Sequence, residues 1–460
     1  NNSIFGFTRD MNPGKRCYAA ARRSAALTEP LTVPSSPAPL PPHNVQVSKL
    51  PNGLVIASLE NNSPLSSVGV FVKAGSRHET VDNQGVSHVL RLAANLTTKG
   101  ASAFKICRSV EALGGSLSVT SSRETTVYTA GCLRDHLDSL SEYLIKVITA
   151  QEFRPWEVDD LTSRVKIDKA LAQLYPQIGV IDKLHEAAYK NALSNSLYCP
   201  DYMVGRVSST QLQSFIDANF TTGRMALVGL GVKHSVLRQM GEGLLSVRSG
   251  AGAPVAKAVY RGGELRMHNT DDLVHALITS EGGVTGSAEA NAFSVLQRIL
   301  GDGPHVKRGS NITSKLSQGI AKATTQPFDA TAFNASYSDS GLFGLYTIAQ
   351  ADSAGKVIKA AIAQVSSVAE GNVSEEDMTR AKNQAKAEYL MSIESSEGLM
   401  EEIGAQALTT AAYQLPDAVL QVIDGVTQDD VVNAAKKFVD GKKTMAASGH
   451  LVNTPFVDEV

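Results

Sequence analysis

The order of apolar and polar residues predicts a chain built from short strands and amphipathic helices. Residues Leu117 to Ser121 alternate apolar and polar side chains, which is the period of a half-buried strand. The segment from Ser116 to Tyr128 predicts a strand, a turn and a second strand, and an amphipathic helix follows through Val147. A hairpin with a helix laid over one face is a building unit of α+β folds.

This pattern occurs twice, at a displacement of roughly 220 residues. The unit at Ser116–Tyr128 returns at Asn334–Tyr346, where the following helix runs through Val365. A capped helix that begins near Val207 and leads into a strand ending in glycine returns near Val426. The repetition predicts an α+β fold of two homologous domains, each a mainly antiparallel sheet with helices on one face.

Segments without an apolar period predict the domain boundaries. Residues 249–258 begin Ser-Gly-Ala-Gly-Ala-Pro and predict a linker between an N-terminal domain, residues 43–248, and a C-terminal domain, residues 259–460. Residues 1–42 combine an excess of Arg and Lys with Ser, Ala, Thr and a proline-rich stretch. This composition is typical of a mitochondrial transit peptide or its remnant followed by a stiff arm, and a disordered basic tail is the alternative.

Charge and cysteine content exclude several classes of function. A formal net charge of −2 leaves no basic footprint for nucleic acid. No run reaches about 18 apolar residues, so we expect no membrane-spanning helix. The four cysteines form no Cys-x-x-Cys pair, so we expect no structural zinc, haem or iron–sulfur cluster, and no cofactor.

The stretch from Gly85 to Leu92 looks like a metal-binding motif whose chemistry has been removed. Zinc peptidases of the inverted type carry His-x-x-Glu-His on a helix, where the histidines bind zinc and the glutamate polarises water. Here His88 stands at the first histidine, Arg91 at the glutamate and Leu92 at the second histidine. Arginine accepts no proton and leucine has no lone pair, so we predict no catalytic residue and no metal ligand at this degenerate motif. A lone packed histidine is the alternative interpretation of His88.

The residues around the motif give it more weight. They are Leu50 to Val55 (Leu-Pro-Asn-Gly-Leu-Val), Val68 to Arg77, and Thr97 to Gly100 (Thr-Thr-Lys-Gly). With them the chain resembles the pitrilysin-type peptidases from about Val45 onward. That family includes the mitochondrial processing peptidase and the core proteins of ubiquinol–cytochrome c reductase (respiratory complex III). The resemblance implies two homologous domains that face each other across a cavity.

The resemblance also implies a third metal ligand, a glutamate, on a helix that follows the motif at some distance. Aligning that helix on Arg164 places Leu161 at the ligand position. Nearby Asp159, Asp160 and Asp168 then read as a solvated acidic face, because a shift of one or two residues turns a helical side chain away. We therefore expect the distal carboxylate to be missing as well.

A basic loop follows the predicted helix Ala288–Leu300. It contains His305, Lys307 and Arg308, which we interpret as a solvated turn, with contact to an anionic partner surface as the alternative. In the presequence-recognising subunit of the processing peptidase, the family carries a long glycine-rich loop here. This chain has only three glycines in the region, which argues against that subunit's role.

Within the family the resemblance is strongest to the core proteins. It implies a non-catalytic structural subunit of ubiquinol–cytochrome c reductase, peripheral on the matrix side of the mitochondrial inner membrane. The implied partners are a homologous core protein 1-type subunit and the membrane subunits cytochrome b, cytochrome c1 and the Rieske protein. The alternative is the non-catalytic substrate-binding subunit of a mitochondrial processing peptidase, with a residual role in processing the Rieske presequence. Arg91 and Leu92 oppose an active zinc peptidase.

Overall fold

Two β-sheets organise the part of the chain that the computed structural model describes, residues 44–244, 247–303 and 314–460. The strands of the first sheet are β1 Gln46–Lys49, β2 Val55–Leu59, β3 Leu65–Val72, β4 Ser116–Ser121, β5 Thr126–Leu133 and β6 Met225–Leu230. They lie in the order β1-β2-β6-β3-β5-β4. Only β2 and β6 run parallel, and the other neighbouring strands of this sheet are antiparallel.

The second sheet lies in the C-terminal half of the chain. Its strands are β7 Gly263–His268, β8 Leu273–Glu281, β9 Phe328–Ser336, β10 Gly341–Gln350 and β11 Thr444–Gly449. They lie in the order β7-β11-β8-β10-β9. The outer pair β7 and β11 is parallel, and the remaining pairs are antiparallel.

The two sheets share one topology. Strands β7, β8, β9, β10 and β11 take the places of β2, β3, β4, β5 and β6, and each sheet has its parallel pair at the same position. Equal strand order and equal strand direction confirm the predicted α+β fold of two homologous units with mainly antiparallel sheets.

Helices fill the connections between the strands in both halves. In the N-terminal half they are α1 Val86–Leu92, α2 Ala103–Ala112, α3 Leu137–Thr149, α4 Pro155–Gln173, α5 Pro176–Ala188, α6 Ser209–Asn219 and α7 His234–Gly243. In the C-terminal half they are α8 Ala288–Leu300, α9 Lys315–Ala323, α10 Ala354–Ala369, α11 Glu375–Glu394, α12 Ser396–Thr410, α13 Pro416–Asp424 and α14 Gln428–Asp440. Within the described ranges, no helix is long and apolar enough to cross a membrane.

Local sequence signals determine where several helices begin. The Ser208 hydroxyl accepts a hydrogen bond from the Gln211 amide at 3.3 Å and caps α6. Thr427 accepts in the same way from the Asp430 amide at 3.2 Å and caps α14. Such caps give a hydrogen-bond partner to backbone N–H groups that the start of a helix leaves unpaired. In each half the capped helix is followed by the predicted strand.

Each sheet packs one face against helices of its own half. In the first sheet Tyr128 of β5 is buried with Leu140 and Leu144 of α3. In the second sheet Phe343 of β10 is buried with Val357 of α10. Burial of these apolar helix faces against the sheet supplies the main driving force for each half, at roughly 25 cal/mol per Å² of apolar surface.

The opposite face of each sheet is covered by a single helix from the other half. Helix α12 lies on the first sheet, where Ile403 and Met400 pack with Phe71 of β3. Helix α5 lies on the second sheet, where Leu184 packs with Leu277 of β8. The halves therefore exchange one helix each, and neither sheet is fully covered without the other half.

The segment predicted as the linker is exposed but held in place. Residues 249–254 lie at the surface. The Arg224 Nε donates to the Ala251 carbonyl at 2.8 Å, and Arg77 Nη2 donates to the Ala256 carbonyl at 3.0 Å. The exact domain boundaries stay a prediction.

One buried histidine joins the exchanged helix α5 to the C-terminal half. His185 is 1% exposed, its Nδ1 donates to the Ile181 carbonyl at 2.7 Å, and its Nε2 lies 2.6 Å from the Tyr337 hydroxyl. Burial, with the nearby charge of Arg123, lowers the pKa of His185 to about 3. The neutral ring therefore fits this site and the charged ring does not.

Acid should weaken the fold through His185. Its folded pKa lies below its unfolded value of 6.5, so its contribution to stability is present above pH 6.5 and is lost as the pH falls towards 3. We expect the difference in unfolding free energy between the native protein and His185→Gln to shrink by about 1.4 kcal/mol per pH unit below 6.5. Urea unfolding between about pH 7 and about pH 5 measures this, and a constant difference would contradict it.

Candidate functional site

The degenerate motif forms the first helix, α1, and a glycine allows its approach. Gly85 precedes the helix with φ 83°, and a Cβ there would lie 2.7 Å from the Cys199 backbone. The buried carboxylate of Glu79 accepts from the Gly85 amide at 2.8 Å and from the Ser87 amide at 2.9 Å. These bonds satisfy the free N–H groups at the start of α1, and burial raises the pKa of Glu79 to about 7.

His88 lies at the centre of the site and is almost fully buried. Its Nδ1 accepts a hydrogen bond from the Cys199 backbone N–H at 3.1 Å. Because Nδ1 is the acceptor, the ring proton of neutral His88 lies on Nε2, which donates to Asp168 Oδ2 at 2.7 Å. Burial lowers the pKa of His88 more than the bond to Asp168 raises it, which favours this neutral form.

Arg91 binds the same carboxylate oxygen as His88. Its Nη2 lies 2.5 Å from Asp168 Oδ2, and both side chains of this ion pair are 30% exposed. Burial by itself would raise the pKa of Asp168, but the hydrogen bond from His88 and the charge of Arg91 lower it below its usual value. Three side chains from α1 and α4 therefore form one charged cluster.

The position of Asp168 corrects the expectation for the distal helix. Leu161, which the alignment placed at the ligand position, is 3% exposed and belongs to the hydrophobic core. Asp159 and Asp160 are exposed, as a solvated face requires. Asp168 is not part of such a face, because it contacts His88 directly. The distal carboxylate is therefore present, as an aspartate.

These residues do not fit a catalytic zinc ion. Zinc needs three protein ligands, and Leu92 contributes none. The guanidinium of Arg91 already occupies the oxygen of Asp168 that faces His88. The backbone N–H of Cys199 keeps the proton on His88 Nε2, so the nitrogen that faces the carboxylate has no free lone pair. Over the described ranges, no group of three His, Cys, Asp or Glu side chains is arranged to hold a metal.

We expect the purified protein to retain less than about a tenth of a zinc ion per chain after dialysis, because the cluster offers no three-ligand set. Elemental analysis of the native protein and of His88→Ala measures this, and both should give the same background. Stoichiometric zinc that disappears in His88→Ala would refute the interpretation.

A cavity of about 590 Å³ opens beside the cluster, between α4, α5 and the segment that contains Cys199. Three of the carboxylates in its lining have hydrogen-bond or ion-pair partners, and one of these is Glu79, which accepts from the start of α1. Asp182 accepts from Arg123 at 2.9 Å and from the Ser196 hydroxyl at 2.7 Å, and Lys183 lies 2.7 Å from Glu186. Asp182 and Glu186 are thus held in ion pairs, and Glu79 is held by backbone N–H groups.

The C-terminal half repeats the ion pair that replaces the metal chemistry. Arg298 of α8 binds Glu388 of α11, just as Arg91 of α1 binds Asp168 of α4. The sequence analysis did not predict this pair. Comparing the two halves at the displacement of roughly 220 residues, which relates Asp168 to Glu388, would have indicated it. In both halves the ion pair connects equivalent helices.

The remaining predicted site residues, His305, Lys307 and Arg308, lie outside the described residues. The solvated turn and the contact with an anionic partner surface both stay predictions.

Comparison with known proteins agrees with this geometry. The chain matches the model of the insulinase (M16) peptidase family over residues 55–201 and that of the M16 inactive domain over residues 206–385. Human "cytochrome b-c1 complex subunit 2, mitochondrial" is 60% identical over 92% of this chain and 93% of its own length. The rat protein of that name is 59% identical over 92% and 93%. "Probable mitochondrial-processing peptidase subunit alpha-2" of Arabidopsis thaliana is 32% identical over 94% and 88%. With two M16 domains matched in succession and relatives aligned along nearly its whole length, the chain belongs to the M16 peptidase family.

Proposed function

We propose that this protein is a non-catalytic core subunit of the mitochondrial ubiquinol–cytochrome c reductase complex, of the core protein 2 type. The observation that carries the proposal is the cluster of His88, Arg91 and Asp168. It keeps the two-helix geometry of a peptidase site and fills the metal position with an ion pair. A family member with such a site keeps the fold of the family but not its hydrolytic chemistry. Its function then depends on the surface that it presents to other proteins.

The relatives support this assignment. Human and rat proteins at 60% and 59% identity are named as subunit 2 of the mitochondrial cytochrome b-c1 complex. We infer a matrix-side, peripheral position on the inner membrane, with attachment through proteins. The partners would be a core protein 1-type subunit, cytochrome b, cytochrome c1 and the Rieske protein, and the interfaces would together bury well above ~2,000 Å².

A second candidate is the non-catalytic substrate-binding subunit of a mitochondrial processing peptidase. It is favoured by relatives named as alpha subunits of that peptidase, which are 30–32% identical to this chain over at least 92% of its length. The lower identity makes this the weaker candidate.

We expect the native protein to co-migrate with b- and c-type cytochromes after mild detergent extraction of mitochondria and native electrophoresis. Depleting it should lower the amount of the whole complex, since obligate subunits gain stability from one another. A cytochrome-free soluble heterodimer that cleaves presequence peptides would instead establish the processing-peptidase candidate.

A further inference from the structure

Helix α4 has two apolar faces, and only one of them is buried. Val158, Leu161 and Val165 pack into the core of the N-terminal half. On the opposite side, large apolar side chains are 54–71% exposed. They are Trp156, Ile167, Leu171 and Leu174. Ile167, Leu171 and Leu174 are neighbours on the helix, and an exposed apolar group of this kind marks an interaction site more often than a single exposed leucine does.

The exposed residues follow a regular helical spacing. Positions 156, 160, 163, 167, 171 and 174 are separated by three or four residues, so their side chains form one line along the helix, which is apolar except at Asp160 and Ser163. We call this line the α4 stripe. Spacing of three and four is the pattern by which one helix packs along another, with side chains of each helix filling the grooves of its neighbour.

The fold itself does not require the α4 stripe, because the equivalent helix of the other half carries only one of its four large apolar residues. Helix α11 buries Met378, Ala381 and Ala385, which correspond in order to Val158, Leu161 and Val165. On the exposed side, the positions equivalent to Trp156, Ile167 and Leu174 are Glu376, Ala387 and Glu394. Only the position equivalent to Leu171 is a large apolar residue, Met391, which is 64% exposed. Helices α4 and α11 have equivalent places in the fold but differ in the residues on this exposed face. The difference indicates that the face of α4 contacts another molecule.

Unpaired charges on α4 define the chemistry of the occupant. Asp159 and Asp160 are exposed and make no ion pair with any residue in the described ranges. One turn further along, Arg164 is also exposed and unpaired there. A complementary surface therefore carries basic residues near the start of α4, an acidic residue opposite Arg164 and apolar residues towards Leu174.

We propose that the α4 stripe binds an amphipathic helix of a partner subunit. The apolar residues of that helix cover Ile167, Leu171 and Leu174, and its basic residues lie opposite Asp159 and Asp160. The order of charges places the basic end of the bound helix at the start of α4 and its apolar end towards Leu174. The identification of the partner as a subunit of the same complex rests on the proposed function.

Site-specific cross-linking in intact mitochondria tests the proposal. A photoreactive amino acid at position 167 is expected to cross-link the assembled chain to one partner subunit, within a helical segment that contains Lys or Arg. The same group at position 387, the equivalent exposed position of α11, is the matched control and should give no such product. A product with a second copy of this chain, with lipid only, or no product at all from the assembled complex would overturn the proposal.

A charge placed on the stripe gives a second readout. Ile167→Asp should lower the fraction of chain in the assembled complex by about ten-fold or more, whereas Ala387→Asp should leave it unchanged. Both positions are exposed on helices of the isolated chain, so circular dichroism and the unfolding midpoint should be unaffected by either change. Normal assembly of Ile167→Asp would overturn the proposal. Absence of cytochromes from the native complex would instead refute the proposed function, and cross-linking from position 167 would still report whether a helix binds.

Discussion

Replacing Arg77 by alanine is expected to lower the free energy of unfolding by about 3–5 kcal/mol. The Arg77 side chain is 5% exposed and donates to Glu124 Oε1 at 2.6 Å and to Asp339 Oδ1 at 2.8 Å. Glu124 lies in the turn between β4 and β5, and Asp339 lies in the equivalent turn between β9 and β10. Without the guanidinium, two carboxylates that are only 24% and 20% exposed lose the cation that joins them.

The Arg77 prediction can be checked by urea unfolding with two comparison variants. Arg77→Lys keeps the charge but not the planar set of donors, so it should lose less than Arg77→Ala and still be destabilised. Lys146→Ala removes a surface ion pair with Glu142, whose side chains are 31% and 65% exposed, and should change stability by less than about 0.5 kcal/mol. A loss below about 1 kcal/mol for Arg77→Ala would show that the two turns are held together by other contacts.

Shortening a buried side chain on either exchanged helix should destabilise the protein. Leu184 of α5 and Ile403 of α12 are each 0% exposed and lie on the sheet of the other half. We expect Leu184→Ala and Ile403→Ala to cost about 2–5 kcal/mol each, because each leaves a cavity between a helix and a sheet. Val422→Ala on α13, a residue that is 47% exposed, is the control and should stay within about 0.5 kcal/mol.

The same variants test the domain division. Protease cleavage within residues 249–254 should leave the two fragments of the native protein associated on size exclusion, because each fragment covers the sheet of the other. In the double variant Leu184→Ala, Ile403→Ala the cleaved fragments should separate. Fragments of the native protein that separate without denaturant would contradict the exchange of helices.

Several elements could be predicted because their signals are local. The predicted helix Ala288–Leu300 has those bounds in the structure. The capped helices after Ser208 and Thr427 begin where a side-chain oxygen can accept from the first turn. The internal repeat then extended these local signals to the fold class, since equal patterns imply equal topologies.

The distal carboxylate shows where local signals stop. Leu161 and Asp168 are seven residues apart, so they lie on nearly the same side of α4, about two turns from each other. Helical periodicity identifies that side but not the turn that meets α1. The contact between Asp168 and His88 at 2.7 Å depends on how far the two helices slide along one another, which only packing determines.

By itself, the sequence determined the repeated α+β units, the hairpin and following helix at the centre of each unit, the capped helix and strand near its end, and the loss of the peptidase motif at Arg91 and Leu92. Only the tertiary structure decided that α5 and α12 cover the sheets of the opposite halves and that Arg77 joins equivalent turns. The physical reason is that an amphipathic pattern states which face of a helix must be buried. It does not state against which sheet, because that choice depends on contacts between residues far apart in the chain.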